Sequence, residues 1–154
     1  MYQHAPYLKM AIQTDARKKT ISKAIRRIRQ WMKISKMKVE AIAFSGMSGA
    51  LVAPSIADKL GLHLICVRKS TDKAHSSNSI EGWCSEQSFN YIIVDDLVSS
   101  SDTIKHIRGT IDYYSACHGI CVGLYLYATE IRLINRQEIE ADRFTLINTI
   151  KDYP

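Results

Sequence analysis

Four short runs of apolar residues, at about 39–45 (VEAIAFS), 62–67 (LHLICV), 91–94 (YIIV) and 121–127 (CVGLYLY), constrain this chain more than any other feature. Each is too short for a helix and apolar at successive positions, so both faces of the strand it forms must be covered. Helix-like stretches separate the runs. From Arg17 to Lys38 the residues Ile21, Ile25, Ile28 and Met32 recur at spacings of three and four, with Thr14 or Asp15 as a candidate cap. A second helix is expected over 50–60, closed by Gly61, and a third over about 103–116. Strands alternating with helices predict an α/β fold, a parallel sheet flanked by helices on both sides. A chain of 154 residues fits one such domain, spanning 1–154, with the basic helix at about 17–38 and the core at about 39–128.

Composition excludes several classes. Apolar and charged fractions of 46% and 23% are those of an ordinary globular protein. No apolar run reaches the roughly 20 residues a membrane span requires, and the polar start does not resemble a secretory signal, so a cytoplasmic protein without membrane contact is expected. Cys66, Cys84, Cys117 and Cys121 make no metal-ligand spacing and are expected to be reduced thiols, mostly buried. His4, His63, His106 and His118 are isolated and receive no role.

The net charge of +6 points to an anionic partner without naming it. Its densest source is the first helix, whose polar positions from Arg17 to Lys38 are almost all Lys or Arg with no acidic residue among them. A solvated face explains most such helices; phosphate contacts to a nucleic acid are the functional alternative.

Ligands of parallel α/β sheets bind at the carboxyl ends of the strands. There the third run leads into Asp95-Asp96-Leu97-Val98-Ser99-Ser100-Ser101-Asp102-Thr103. Adjacent carboxylates can accept hydrogen bonds from two sugar hydroxyls and assist a Mg2+ ion, and hydroxyls with free amides at a helix start favour a phosphate. A response-regulator receiver also carries an acidic pair after a strand, but that pair ends its first strand, whereas about ninety residues precede this one. The 68–87 segment, polar and without apolar periodicity, reads as a functional loop.

The segment from Ile92 to Thr103 resembles the signature loop of type I phosphoribosyltransferases. Ser45-Gly46-Met47-Ser48-Gly49 and the stretch that follows it to Gly61 are similar to that family's diphosphate loop and next helix. Arg68-Lys69, followed by Lys73 and His75, resembles the mobile catalytic loop of its orotate branch. The resemblance covers roughly residues 39–128. It implies the type I phosphoribosyltransferase fold, phosphoribosyl diphosphate and a nucleobase as substrates, and Mg2+ carried with the diphosphate. It also implies a homodimer, since the mobile loop commonly serves the neighbouring subunit. By the same resemblance Asp95 and Asp96 hold the ribose, Ser99, Ser100, Ser101, Asp102 and Thr103 the 5-phosphate, and Ser45 to Gly49 the diphosphate. Arg68, Lys69, Lys73 and His75 stabilise the departing diphosphate. An orotate-like pyrimidine is slightly preferred as base. A non-catalytic regulator that shares the fold and binds nucleic acid through the basic helix is the alternative.

This chain departs from the family pattern at Ser101 and Asp102, where glycine, or glycine and lysine, are usual. A carboxylate beside a phosphate is repelled unless a cation intervenes or it points outward. No base-selecting hood is recognisable in 2–20 or 130–154.

Overall fold

The structure is a computed structural model that describes residues 8–69, 78–96, 102–114, 116–128 and 145–149. Two helices, α1 (Lys9–Ile12) and α2 (Thr14–Ser35), precede strand β1 (Ala41–Phe44). Then follow α3 (Gly46–Ala50), α4 (Ala53–Leu60), β2 (His63–Val67), β3 (Ile80–Gly82), β4 (Phe89–Asp95), α5 (Asp102–Tyr113), β5 (Gly119–Leu126) and a 3-10 turn at Ile147–Thr149. The sheet runs β3-β2-β1-β4-β5, with β3 antiparallel to β2 and every other pairing parallel.

Alternation along the strands splits the core in two. Ala41, Ala43, Ile65, Val67, Tyr91 and Ile93 face one side, where Ile104, Ile107 and Ile111 of α5 cover them. Ile42, Phe44, Ile92, Val94 and Tyr125 face the other side, against Ala24, Ile28 and Trp31 of α2 and Ile56 of α4. Each fully buried isoleucine contributes about 1.5–3 kcal/mol relative to exposure. The expected α/β architecture with both sheet faces covered is thus the observed one. Among the described residues no helix is long and apolar enough to cross a membrane.

Local differences from the sequence expectations have physical causes. The buried face of α2 is Thr20, Ala24, Ile28 and Trp31, one position from the isoleucine stripe, and Ile21, Ile25 and Met32 pack at its margin. Small residues let the helix approach the sheet closely, and Trp31 supplies the bulk. The N-cap of α2 is Gln13, without a side-chain cap bond, and Asp15 lies in the first turn, where its charge suits the helix dipole. The helix expected over 50–60 is α4, which begins at Ala53 with Pro54 in its first turn, and the glycine turn before it winds into the short helix α3. Gly61 ends α4 in the left-handed conformation, as expected. The stretch read as loop contains β3, three residues of which only Ile80 is buried, too short for its alternation to register.

Candidate functional site

Strand β1 lies between β2 and β4, and the chain leaves it toward β2 on one side while β4 continues to β5 on the other. The carboxyl ends of β1 and β4 therefore stand side by side at the point where strand order reverses, which is where open α/β sheets form their ligand crevice. Beyond β1 come Ser45 and α3; β4 ends at Asp95, and Asp96 follows it.

The two chain segments are joined directly. Ser48 donates its hydroxyl to Asp95 Oδ1 at 3.0 Å, and the Asp96 backbone N–H donates to the same oxygen at 2.9 Å. On the far side of Ser48, the hydroxyl of Tyr127 donates to its carbonyl at 3.0 Å. The Tyr127 and Ala128 amides donate to the carbonyls of Asp95 and Asp96 at 3.0 and 2.8 Å. The acidic pair and the glycine turn are thus held in one frame by the end of β5. Tyr127 belongs to that frame and went unrecognised in the sequence, where it reads as the tail of an apolar strand; its position at a strand's carboxyl end was the available signal.

Asp95 and Asp96 are only 4% and 8% exposed, so two adjacent carboxyl groups share little water. Burial first, and then the neighbouring Asp96 charge, push the Asp95 carboxyl well above the usual carboxylate range, against the hydrogen bonds that favour its ionised form. Ser45 is buried as well, and its hydroxyl has no hydrogen-bond partner among the described residues. A buried polar group left in that state costs free energy that a ligand oxygen can recover.

Gly46 adopts φ 68°, a conformation that side chains resist, and a Cβ there would stand 2.8 Å from Lys69 Cε and 3.1 Å from Nζ. The Lys69 amine accordingly lies over the turn. Arg68 is engaged elsewhere, its guanidinium paired with Glu81 Oε1 on β3 at 2.5 Å. His106 of α5 donates from Nε2 to the Arg68 carbonyl at 2.7 Å, which anchors the end of β2 and gives this histidine a structural task.

Of the residues expected at the site, Ser45 to Gly49, Lys69, Asp95 and Asp96 are brought together, while the Arg68 guanidinium is paired with Glu81 instead. Asp102 and Thr103 begin α5, and the Asp102 side chain is exposed. Lys73, His75, Ser99, Ser100 and Ser101 lie outside the described residues.

Fold and site together define a doubly wound α/β protein with an acidic, hydroxyl-lined crevice at its topological switch point. Its architecture is the type I phosphoribosyltransferase fold. The adenine phosphoribosyltransferase from Thermoanaerobacter pseudethanolicus superposes with a TM-score of 0.62 at 19% identity over 92% of this chain and 81% of that one. The adenine enzyme of Leishmania tarentolae gives 0.63 at 13% over 95% and 77%. Orotate phosphoribosyltransferase from Mycobacterium tuberculosis, in complex with 5-phospho-alpha-D-ribosyl 1-diphosphate, gives 0.61 at 14% over 93% and 77%. No protein-family model and no curated protein matches the sequence.

Proposed function

We propose that this chain binds phosphoribosyl diphosphate with Mg2+ and transfers the phosphoribosyl group to a nucleobase, an orotate-like pyrimidine in preference, with release of diphosphate. The observation that carries this reading is the Ser48 to Asp95 hydrogen bond, which puts a glycine turn suited to a diphosphate beside an acidic pair suited to a ribose. Asp95 and Asp96 accept hydrogen bonds from the ribose hydroxyls, and the backbone of Ser45 to Gly49 approaches the diphosphate under the Lys69 amine. Arg68 exchanges Glu81 for the diphosphate, and Lys73 and His75 add to its stabilisation. Ser99 to Thr103 take the 5-phosphate.

Mg2+ commonly uses one or two carboxylates together with substrate phosphates, and Asp95 and Asp96 are the carboxylates that would serve it here. When bound, the ion neutralises charge on the diphosphate. In the transfer the bond from ribose C1 to the diphosphate oxygen breaks, its electron pair leaving with the diphosphate, and a base nitrogen forms the new bond to C1. The protein's part is positioning and electrostatics, without a covalent nucleophile. A homodimer in which the loop carrying Lys73 and His75 serves the adjacent site completes the proposal.

Calorimetric titration with phosphoribosyl diphosphate and Mg2+ tests it. The wild type is expected to bind, and Asp95→Asn/Asp96→Asn to lose about 100-fold or more in affinity, since each charge-assisted hydrogen bond contributes about 1.5–3 kcal/mol. A folded wild type that binds nothing overturns the reading. One observation favours the alternative of nucleic-acid binding: Lys18, Lys19, Lys23, Arg26, Arg29 and Lys33 of α2 are all exposed. That alternative requires retention on single- or double-stranded nucleic acid that falls steeply with salt.

A further inference from the structure

The β3–β4 connection and the turn before β5 meet on the side of the sheet covered by α5, away from the crevice. His118 donates its amide to the Ser85 carbonyl at 3.2 Å, and Phe89 returns an amide to the His118 carbonyl at 3.1 Å. Trp83 stacks on His63 at 4.3 Å between ring centroids and meets Phe89 edge-on at 4.7 Å, so the residue after it is fixed in position. That residue is Cys84. Its sulfur lies 2.7 Å from that of Cys117, closer than two unbonded sulfurs ordinarily approach and within about an ångström of the ~2.05 Å disulfide bond.

From this contact we propose that Cys84 and Cys117 are a redox pair that closes reversibly to a disulfide, fastening the β2–β3 edge ribbon to the α5–β5 connection. The two positions are 33 residues apart and share no short motif, so only the fold unites them. Their surroundings allow a small oxidant to arrive. Cys84 is half-buried and borders a cavity of about 700 Å³ with Glu81, Glu86 and Tyr114, while the buried Cys117 borders a second of about 400 Å³ with Asp112 and His118.

The accessible partner reacts first. The Cys84 thiolate attacks one sulfur of a low-molecular-weight disulfide such as oxidised glutathione, releasing one glutathione thiolate and leaving a mixed disulfide. Cys117 then gives up its proton and attacks the Cys84 sulfur, releasing the second glutathione. The protein loses two electrons and two protons in all, and the oxidant takes them up. Burial and the neighbouring sulfur hold the Cys117 thiol well above the ordinary range, which suits the resolving role better than the attacking one.

Incubating the full chain with oxidised glutathione, and in parallel with dithiothreitol, tests the pair by intact mass and by thiol counting in denaturant. The expected result is loss of two hydrogens and of two of the four titratable thiols, a Cys84–Cys117 linked peptide after digestion, and recovery of all four thiols on reduction. Cys66→Ser and Cys121→Ser leave the change intact, and Cys84→Ser abolishes it. Four thiols that persist under oxidant, a glutathione adduct that never resolves, or a linkage mapped to Cys66 or Cys121 would each overturn the proposal. Mapping on the wild type suffices if a variant fails to fold.

Discussion

The two ends of the sheet treat their acids in opposite ways. At the amino end of β1, Glu40 is paired with Lys38 at 2.9 Å and accepts the Asn90 amide at 2.9 Å, while the Asn90 side chain donates to the Lys38 carbonyl at 2.8 Å. These bonds hold the Glu40 carboxyl below its ordinary value, the Lys38 contact most of all. At the carboxyl end of the neighbouring β4, Asp95 is buried beside a second acid, and its carboxyl is held above its ordinary value. One end of the sheet spends its polar groups on its own stability. The other keeps two adjacent carboxyl groups buried, a hydroxyl without a partner among the described residues and a left-handed glycine.

The sharpest way to break this contrast is to neutralise Asp95 without a ligand present. A carboxyl whose folded value is raised binds its proton more tightly in the native state, so it favours folding at low pH. That contribution is lost as pH rises from about 4 toward neutrality. Asp95→Asn keeps an acceptor for Ser48 and removes the charge. It is expected to raise unfolding free energy at pH 7.5 by roughly 1–3 kcal/mol, with the gain fading toward pH 4, in urea melts with chelator. A variant less stable than wild type at both pH values would mean that Asp95 serves the fold and that the two ends are alike.

How far this contrast was readable beforehand depends on the range of each interaction. The acidic pair and the glycine turn are local patterns, visible because strand, acids and turn are contiguous in the chain. The Ser48 to Asp95 bond spans 47 residues and exists only because β1 and β4 pair in parallel, so it required the sheet. Arg68 looked like an unencumbered site residue because β3, which carries its partner Glu81, is too short to announce itself. The isoleucine stripe named the packed face of the basic helix one position off, since the small Thr20 and Ala24 pack closely and Trp31 is buried beside them. Long-range pairings and small-residue contacts carry no periodic signal, and they account for most of what was missed.

A smaller effect is expected at the turn. Gly46→Ala forces a side chain into φ 68° and into the Lys69 methylenes. The strain costs about 1–2 kcal/mol of stability, and because Lys69 can swing aside, the larger loss falls on phosphoribosyl diphosphate affinity. Calorimetry of Gly46→Ala beside Gly61→Ala, whose glycine is also left-handed but has open space around it, separates backbone strain from the displaced amine. Equal stability losses with unequal affinities sharpen the contrast; equal affinities would remove Lys69 from the site.

The smallest effect belongs to the satisfied end. Glu40→Gln retains an acceptor for the Asn90 amide but loses the charge that pairs with Lys38, a residue largely in solvent, so the pair is screened. A loss of roughly 0.5 kcal/mol at pH 7 follows. Its pH dependence runs opposite to that of Asp95. A carboxyl held low in the fold contributes stability above its unfolded value near pH 4, and that contribution disappears as pH falls through the lower folded value. Wild type and Glu40→Gln should therefore converge in acid, as wild type and Asp95→Asn do, but from the other side: the variant is the weaker protein at neutral pH here and the stronger one there. Measuring both variants across one pH series makes each the control for the other, because a general acid effect on the fold moves them in the same direction and the proposed division of labour moves them apart.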